Sequence, residues 1–155
     1  MAWIDLDEVI LDRARESYHQ EGRTPRDIYK ALGPDVFRNL ETAAVRYLKI
    51  YSNRPQIIAT GGGVADNPAA LKELSSIGLG IYLQENEAVL YERVIAGGLP
   101  PFLDADNPRT SFAQLYQRRD SIYRQTAQIT IELQGANIAQ ALELFEKAIK
   151  KYISR

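Results

Sequence analysis

The sequence contains no cysteine, one histidine, one tryptophan and one methionine among 155 residues. Without cysteine there are no disulfides and no thiolate metal sites. One histidine, His19, excludes a histidine-rich metal centre and argues against a Ser–His catalytic pair. Neither sign of charge is in excess. The net charge is −1, so there is no global basic field to attract nucleic acid. No apolar run reaches the ~20 residues that cross a bilayer. The opening Met-Ala-Trp-Ile-Asp-Leu-Asp reads as a strand and not as a secretion signal. These absences lead to the expectation of a cytoplasmic protein with neither nucleic acid nor membrane as partner. There is no internal repeat and no low-complexity tract.

What is present suits one globular domain over residues 1–155, with 45% hydrophobic and 25% charged residues. The chain is organised around Gln56-Ile-Ile-Ala-Thr60-Gly61-Gly62-Gly63-Val64. A short apolar strand runs into three glycines. Asn67 then reads as a helix N-cap, with Pro68 at the first helical position. In a parallel α/β sheet such a turn lies at the carboxyl ends of the strands, where ligands bind. Three glycines also leave amide groups uncovered, and these can cradle an anion. A plain tight turn is the alternative reading.

Before this stretch, Trp3 to Asp7 alternates apolar and acidic residues, so a strand would point Asp5 and Asp7 the same way. Asp7 also reads as the cap of a helix from Glu8 to about Tyr18. Two acids at a strand end can hold the water shell of a metal ion and accept a hydroxyl proton. Thr24-Pro25-Arg26-Asp27 resembles a capping box opening a short helix. Gly33 ends that helix and Pro34 starts the next, which runs to about Tyr51. On it Arg38 and Glu41 share a face. They are either an exposed ion pair of little value or an arginine braced to clamp a carboxylate.

After the glycines, helices are expected from Asn67 to about Ile77, from Asn86 to about Ala96 (carrying Arg93), and from Thr110 to Ala127. Strands are expected at Leu79–Leu83 and Gln128–Leu133. A last helix follows the Asn137 cap, with a buried stripe of Ala139, Leu142, Leu144, Phe145, Ala148, Ile149 and Tyr152. Residues 97–108, rich in glycine, proline and aspartate, read as a lid loop. Arg118, Arg119 and Arg124 form a basic side of the long helix. The order β-α-α-β-α-β-α-α-β-α argues for a mainly parallel sheet with helices on both faces, a three-layer αβα architecture.

Taken together these stretches resemble shikimate kinase, a small kinase of the P-loop, nucleoside-monophosphate-kinase-like fold. The resemblance rests on five elements. These are Asp5-Leu-Asp7; Gly22…Ile28-Tyr29…Gly33…Phe37-Arg38…Glu41; Ile58-Ala-Thr-Gly61-Gly62-Gly63; Pro101-Phe102-Leu103 in the lid; and Arg119…Tyr123…Ala127. It covers the whole chain. It implies ATP-dependent phosphorylation of the shikimate 3-hydroxyl, in aromatic amino acid biosynthesis, with ATP and magnesium as cofactors. Asp7 would orient or deprotonate the attacking hydroxyl, and Asp5 would belong to the magnesium shell. Arg38 and Arg119 would grip the substrate carboxylate, with Glu41 bracing Arg38. Gly61, Gly62 and Gly63 would line the substrate ring. Arg93 would lie on the nucleotide side.

Two departures shape the expected activity. The family opens with a strand, a Gly-x-x-x-x-Gly-Lys-Ser/Thr loop and a helix, ~30 residues in all. No Gly–Lys pair occurs in this sequence, so the first strand and phosphate loop are expected to be missing. The resemblance puts Pro100 where the family's lid has an arginine, and whether Arg109 nearby compensates is left open by the sequence. The chain as given is therefore expected to be impaired or inactive. Two alternatives are a non-catalytic shikimate-binding or regulatory protein and a relative acting on another hydroxy acid. A missing central strand would leave Gln56–Thr60 and Leu79–Leu83 without a shared neighbour. Three outcomes follow: a longer natural protein, a sheet that closes up, or self-association through the unpaired edge.

Overall fold

In the computed structural model, residues 2–51, 55–100 and 102–154 are described, and they form two compact units, Met1–Gly78 and Leu79–Arg155. The fold is mixed α/β with parallel strands, and the elements follow the expected order.

In the first unit, β1 (Ala2–Asp5) pairs in parallel with β2 (Gln56–Ala59), matching Ile4 to Ile58 and Asp5 to Ala59. Both strands therefore end at the same edge, and the glycines leave β2 beside the acidic end of β1. Between them run α1 (Leu6–Tyr18) and α2 (Pro25–Tyr51), and α3 (Pro68–Ile77) follows. Leu6, Ile10 and Ala14 of α1, spaced by four, are buried with Ile28, Leu40, Ala44, Val45 and Leu48 of α2. Burial of each large side chain stabilises by roughly 1.5–3 kcal/mol. The break expected at Gly33-Pro34 is present: Gly33 has φ +82 and ψ 170 inside α2, a conformation open to glycine and costly for other residues. The capping box is present too. Thr24 Oγ1 accepts from Asp27 N at 3.2 Å, and Asp27 Oδ2 accepts from Thr24 N at 3.0 Å.

One boundary differs. The strand stops at Asp5 and α1 begins at Leu6, so period two does not extend to Asp7. Asp5, not Asp7, is the N-cap, accepting from Asp7 N at 3.0 Å. An N-cap serves the amide two or three positions on, and only Asp5 is placed to do that.

In the second unit, β3 (Ile81–Gln84) pairs in parallel with β4 (Ile129–Glu132). Around them lie α4 (Glu87–Ala96), α5 (Pro108–Thr126) and α6 (Ile138–Ile153). Gly80 passes so close to Ala127 and Gln128 that a Cβ would sit 3.1 Å from Gln128 Oε1, which explains a glycine beside a strand. Asn86 caps α4, and Asn137 with Gln140 forms a capping box on α6. Leu103, Phe112 and Ile131 are buried. The expected buried stripe of α6 is not. No described residue of α6 is buried, and Leu142 is 57% exposed. Periodicity fixes which face is apolar, whereas burial needs a neighbour across that face.

Among the described residues β2 pairs with β1 in the first unit, and β3 pairs with β4 in the second. No helix among the described residues is long and apolar enough to cross a membrane.

Candidate functional site

The first unit carries Asp5, Asp7, Arg38 and the glycine run. Asp5 at the end of β1 faces Ala59 across the ladder, just ahead of Gly61 in the chain. Gly61 adopts φ +67, and a Cβ added there would lie 3.9 Å from Asp7 Oδ1. The structure thus brings Asp7 and the glycine loop together. A Cβ on Gly62 or Gly63 would meet nothing within 4 Å, so these two face open space. The loop closes in a one-turn 3-10 helix at Val64–Asp66, whose Val64 and Ala65 are buried, and Asn67 then caps α3.

Asp7 has its carboxyl pKa raised above the ordinary value, first by burial and then by the negative charge of Asp5. A carboxylate held at higher pKa is a better proton acceptor for a hydroxyl. Nearby Asp5 spends one oxygen on the α1 cap, and its other oxygen has no hydrogen bond among the described residues. The described residues contain no group of three or more His, Cys, Asp or Glu side chains poised for a metal. Two neighbouring acids whose mutual repulsion a cation would relieve do fit a magnesium ion held largely through water.

Arg38 is half-exposed on α2, and its guanidinium pairs with Asp35. This corrects the expected Arg38–Glu41 brace. Long side chains on a helix lean toward its N-terminus, so Arg38 reaches back one turn to Asp35 rather than forward to Glu41. Glu41 is buried at 6% exposure, and its Oε2 accepts from Asn67 Nδ2 at 2.8 Å. Sequence reasoning found Asn67 as a cap and missed this second bond. No local pattern signals a contact 26 residues away.

The second unit carries Arg93 and Arg119. Arg93 Nη2 lies 3.5 Å from Oε2 of Glu85, a carboxylate only 3% exposed. Glu85 Oε1 accepts from Asn86 N at 2.7 Å and Gly135 N at 2.9 Å, tying the turn after β4 to the end of β3. Glu85 was also missed from sequence, since a Glu after a strand carries no signal of burial. The half-buried Arg119 on α5 lies with its guanidinium carbon 6.0 Å from the Phe102 ring centroid, at the outer limit of a cation–π contact. Phe102 and the buried Leu103 belong to the expected lid element; its Pro101 lies outside the described residues. Pro100 is buried. Arg109 pairs with Glu87, and its guanidinium carbon lies 4.8 Å from the Tyr91 ring centroid.

Known proteins similar to this chain share one family. A family model described as shikimate kinase matches residues 1–152. A shikimate kinase of Aromatoleum aromaticum is 35% identical over 152 residues, covering 98% of this chain and 82% of that protein. One from Thermoanaerobacter pseudethanolicus is 33% identical over 151 residues, covering 97% and 81%. Among solved structures, shikimate kinase from Acinetobacter baumannii in complex with shikimate superposes with a TM-score of 0.77 at 27% identity, covering 99% of this chain and 79% of that one. With a family model matching residues 1–152 and a relative 35% identical across 98% of the chain, this protein belongs to the shikimate kinase family.

Proposed function

We propose that this protein binds shikimate and that its family reaction is ATP-dependent phosphorylation of the 3-hydroxyl. The observation that carries the reading is Asp7, raised in pKa and set against Gly61 at the shared carboxyl edge of β1 and β2. The shikimate bound in the Acinetobacter baumannii relative supports the choice of ligand. In this reading Asp7 accepts the proton of the attacking hydroxyl, whose oxygen then bonds the transferred phosphorus as the bond to the leaving phosphate breaks. Arg38 and Arg119 each serve the substrate carboxylate, a task suited to the planar guanidinium fork. Gly61, Gly62 and Gly63 lie close to the ring because they carry no side chains of their own. Arg93 serves the nucleotide. Asp5 would hold magnesium through water, and that ion, when bound, neutralises charge on the phosphates.

Phosphoryl transfer depends on positioning and charge neutralisation, and the 155 residues contain no Gly–Lys pair. Pro100 stands where the family resemblance places an arginine. We therefore propose low turnover for these 155 residues by themselves. A coupled ADP-release assay with shikimate and ATP–magnesium, beside calorimetric titration with each ligand, tests both parts. Shikimate binding with slow turnover is expected, and absence of shikimate binding overturns the reading. A second reading, a shikimate-binding protein without phosphotransfer, is favoured by the buried, uncharged Pro100 and by the engagement of Arg109 with Glu87. It predicts shikimate binding with no ATP binding, and ATP binding in the presence of magnesium would end it.

A further inference from the structure

Asn67 has more hydrogen bonds than a helix cap uses. Its Oδ1 accepts from Ala70 N at 3.1 Å, which is the whole of the capping role. Its Nδ2 donates to Arg38 O and to Glu41 Oε2, each at 2.8 Å, with Thr42 Oγ1 a third neighbour at 3.2 Å. The Thr42 hydroxyl lies 2.9 Å from the same Arg38 carbonyl. An amide carries two protons, and both are taken by α2. Asn67 is 3% exposed and Glu41 6%, so these bonds form away from water, where a lost partner leaves an uncompensated polar group. Serine or threonine would cap α3 about as well. The amide donors are surplus to capping, and both end on the turn of α2 that presents Arg38.

Asn67 is also the residue that ends the loop begun by Gly61. On one side that loop is fixed by the β2 ladder, and on the other by the buried Val64, Ala65 and Asn67. We propose that Asn67 is a positioning residue. It holds the Arg38–Thr42 turn of α2 in register with the glycine loop, so that arginine and loop amides address one ligand. This rests on the shikimate-binding reading of the same site.

The test uses the whole chain and three variants: Asn67→Ser, Asn67→Asp, and Asn67→Asp combined with Glu41→Gln. Serine keeps the α3 cap and removes both amide donors. Aspartate sets a carboxylate against Glu41. The double variant reverses the bond, with an amide at position 41 donating to a carboxylate at position 67. Shikimate titration is expected to show the dissociation constant rising about tenfold for Asn67→Ser and at least as far for Asn67→Asp. The double variant is expected to recover part of the loss relative to Asn67→Asp, since the bond to the Arg38 carbonyl is not restored. Wild-type affinity in both single variants, or no recovery in the double variant, overturns the proposal.

Amide hydrogen exchange decides the matter without ligand. Asn67→Ser is expected to speed exchange in residues 36–42 and 61–67 together. Faster exchange confined to the start of α3, or none, overturns the positioning role. If wild type fails to bind shikimate while both segments loosen together, the functional reading falls and the coupling of α2 to the loop stands.

Discussion

Asp7 Oδ1 stands 3.9 Å from the position a Cβ would take on Gly61, the residue of the glycine run with φ +67. The acid and the turn define each other. The loop turns beside the carboxylate because its first residue tolerates a left-handed backbone. The three glycines are therefore not equivalent.

Gly61→Ala is expected to lower stability by about 1–2 kcal/mol, the cost of a left-handed alanine, since 3.9 Å is an ordinary contact and adds no clash. Gly62→Ala and Gly63→Ala place a methyl in open space and should leave the melting temperature within about 2 °C. All three should weaken shikimate binding. Thermal unfolding beside calorimetry separates backbone strain at Gly61 from ligand exclusion at Gly62 and Gly63. Unchanged affinity in the latter two would remove the loop from the site.

Asp7 makes stability depend on pH in a particular direction. Its folded pKa lies above the unfolded value of 3.8, so the folded state binds more protons between the two values. Stability is therefore greatest below that window and falls as pH rises through the folded pKa. Asp7→Asn should be more stable than wild type at pH 7, with the difference vanishing below about pH 3.8. The same substitution should reduce any phosphoryl transfer by about two to four orders of magnitude, the range for loss of a positioned general base. Denaturant titrations at several pH values check the first part and the coupled assay the second.

Arg38 pairs with Asp35 at the surface, where such pairs contribute roughly 0–1 kcal/mol. Arg38→Ala is accordingly expected to leave the melting temperature almost unchanged and to weaken shikimate binding at least tenfold. Asp35→Ala should cost little stability and leave affinity equal or tighter, since it releases the guanidinium for an incoming carboxylate. A loss of affinity in Asp35→Ala would mean that Asp35, not the ligand, sets the arginine's working position.

In the second unit, Glu85 Oε2 is buried and lies 3.5 Å from Arg93 Nη2, with no hydrogen bond to either it or any other described group. Arg93→Ala removes a half-exposed ion-pair partner from an oxygen that already lacks a hydrogen bond, and should destabilise by about 1 kcal/mol or less. Glu85→Ala should cost more, because the amides of Asn86 and Gly135 lose their acceptor as well. Chemical denaturation ranks the two, and equal cost would show that the two amides find water.

Local chemistry wrote much of this protein into its sequence. The Thr24–Asp27 box, the Gly33-Pro34 break and the caps at Asn67, Asn86 and Asn137 all stand where residue types place them. Each involves partners within four positions, which the chain brings together whatever lies around it. The glycine turn at the end of β2 was legible for the same reason, as was the family resemblance that pointed to the acids and arginines.

Tertiary structure decided the rest. It chose Asp35 over Glu41 for Arg38, because side-chain lean on the helix breaks the symmetry of equal spacing. It gave the N-cap of α1 to Asp5, because strand pairing with β2 ends there. It left the α6 stripe only partly covered, since an apolar face is a property of sequence and a neighbour to cover it is not. And it turned Asn67 from a cap into a link between α2 and the glycine loop, through bonds spanning 26 and 29 residues that only packing can bring into reach.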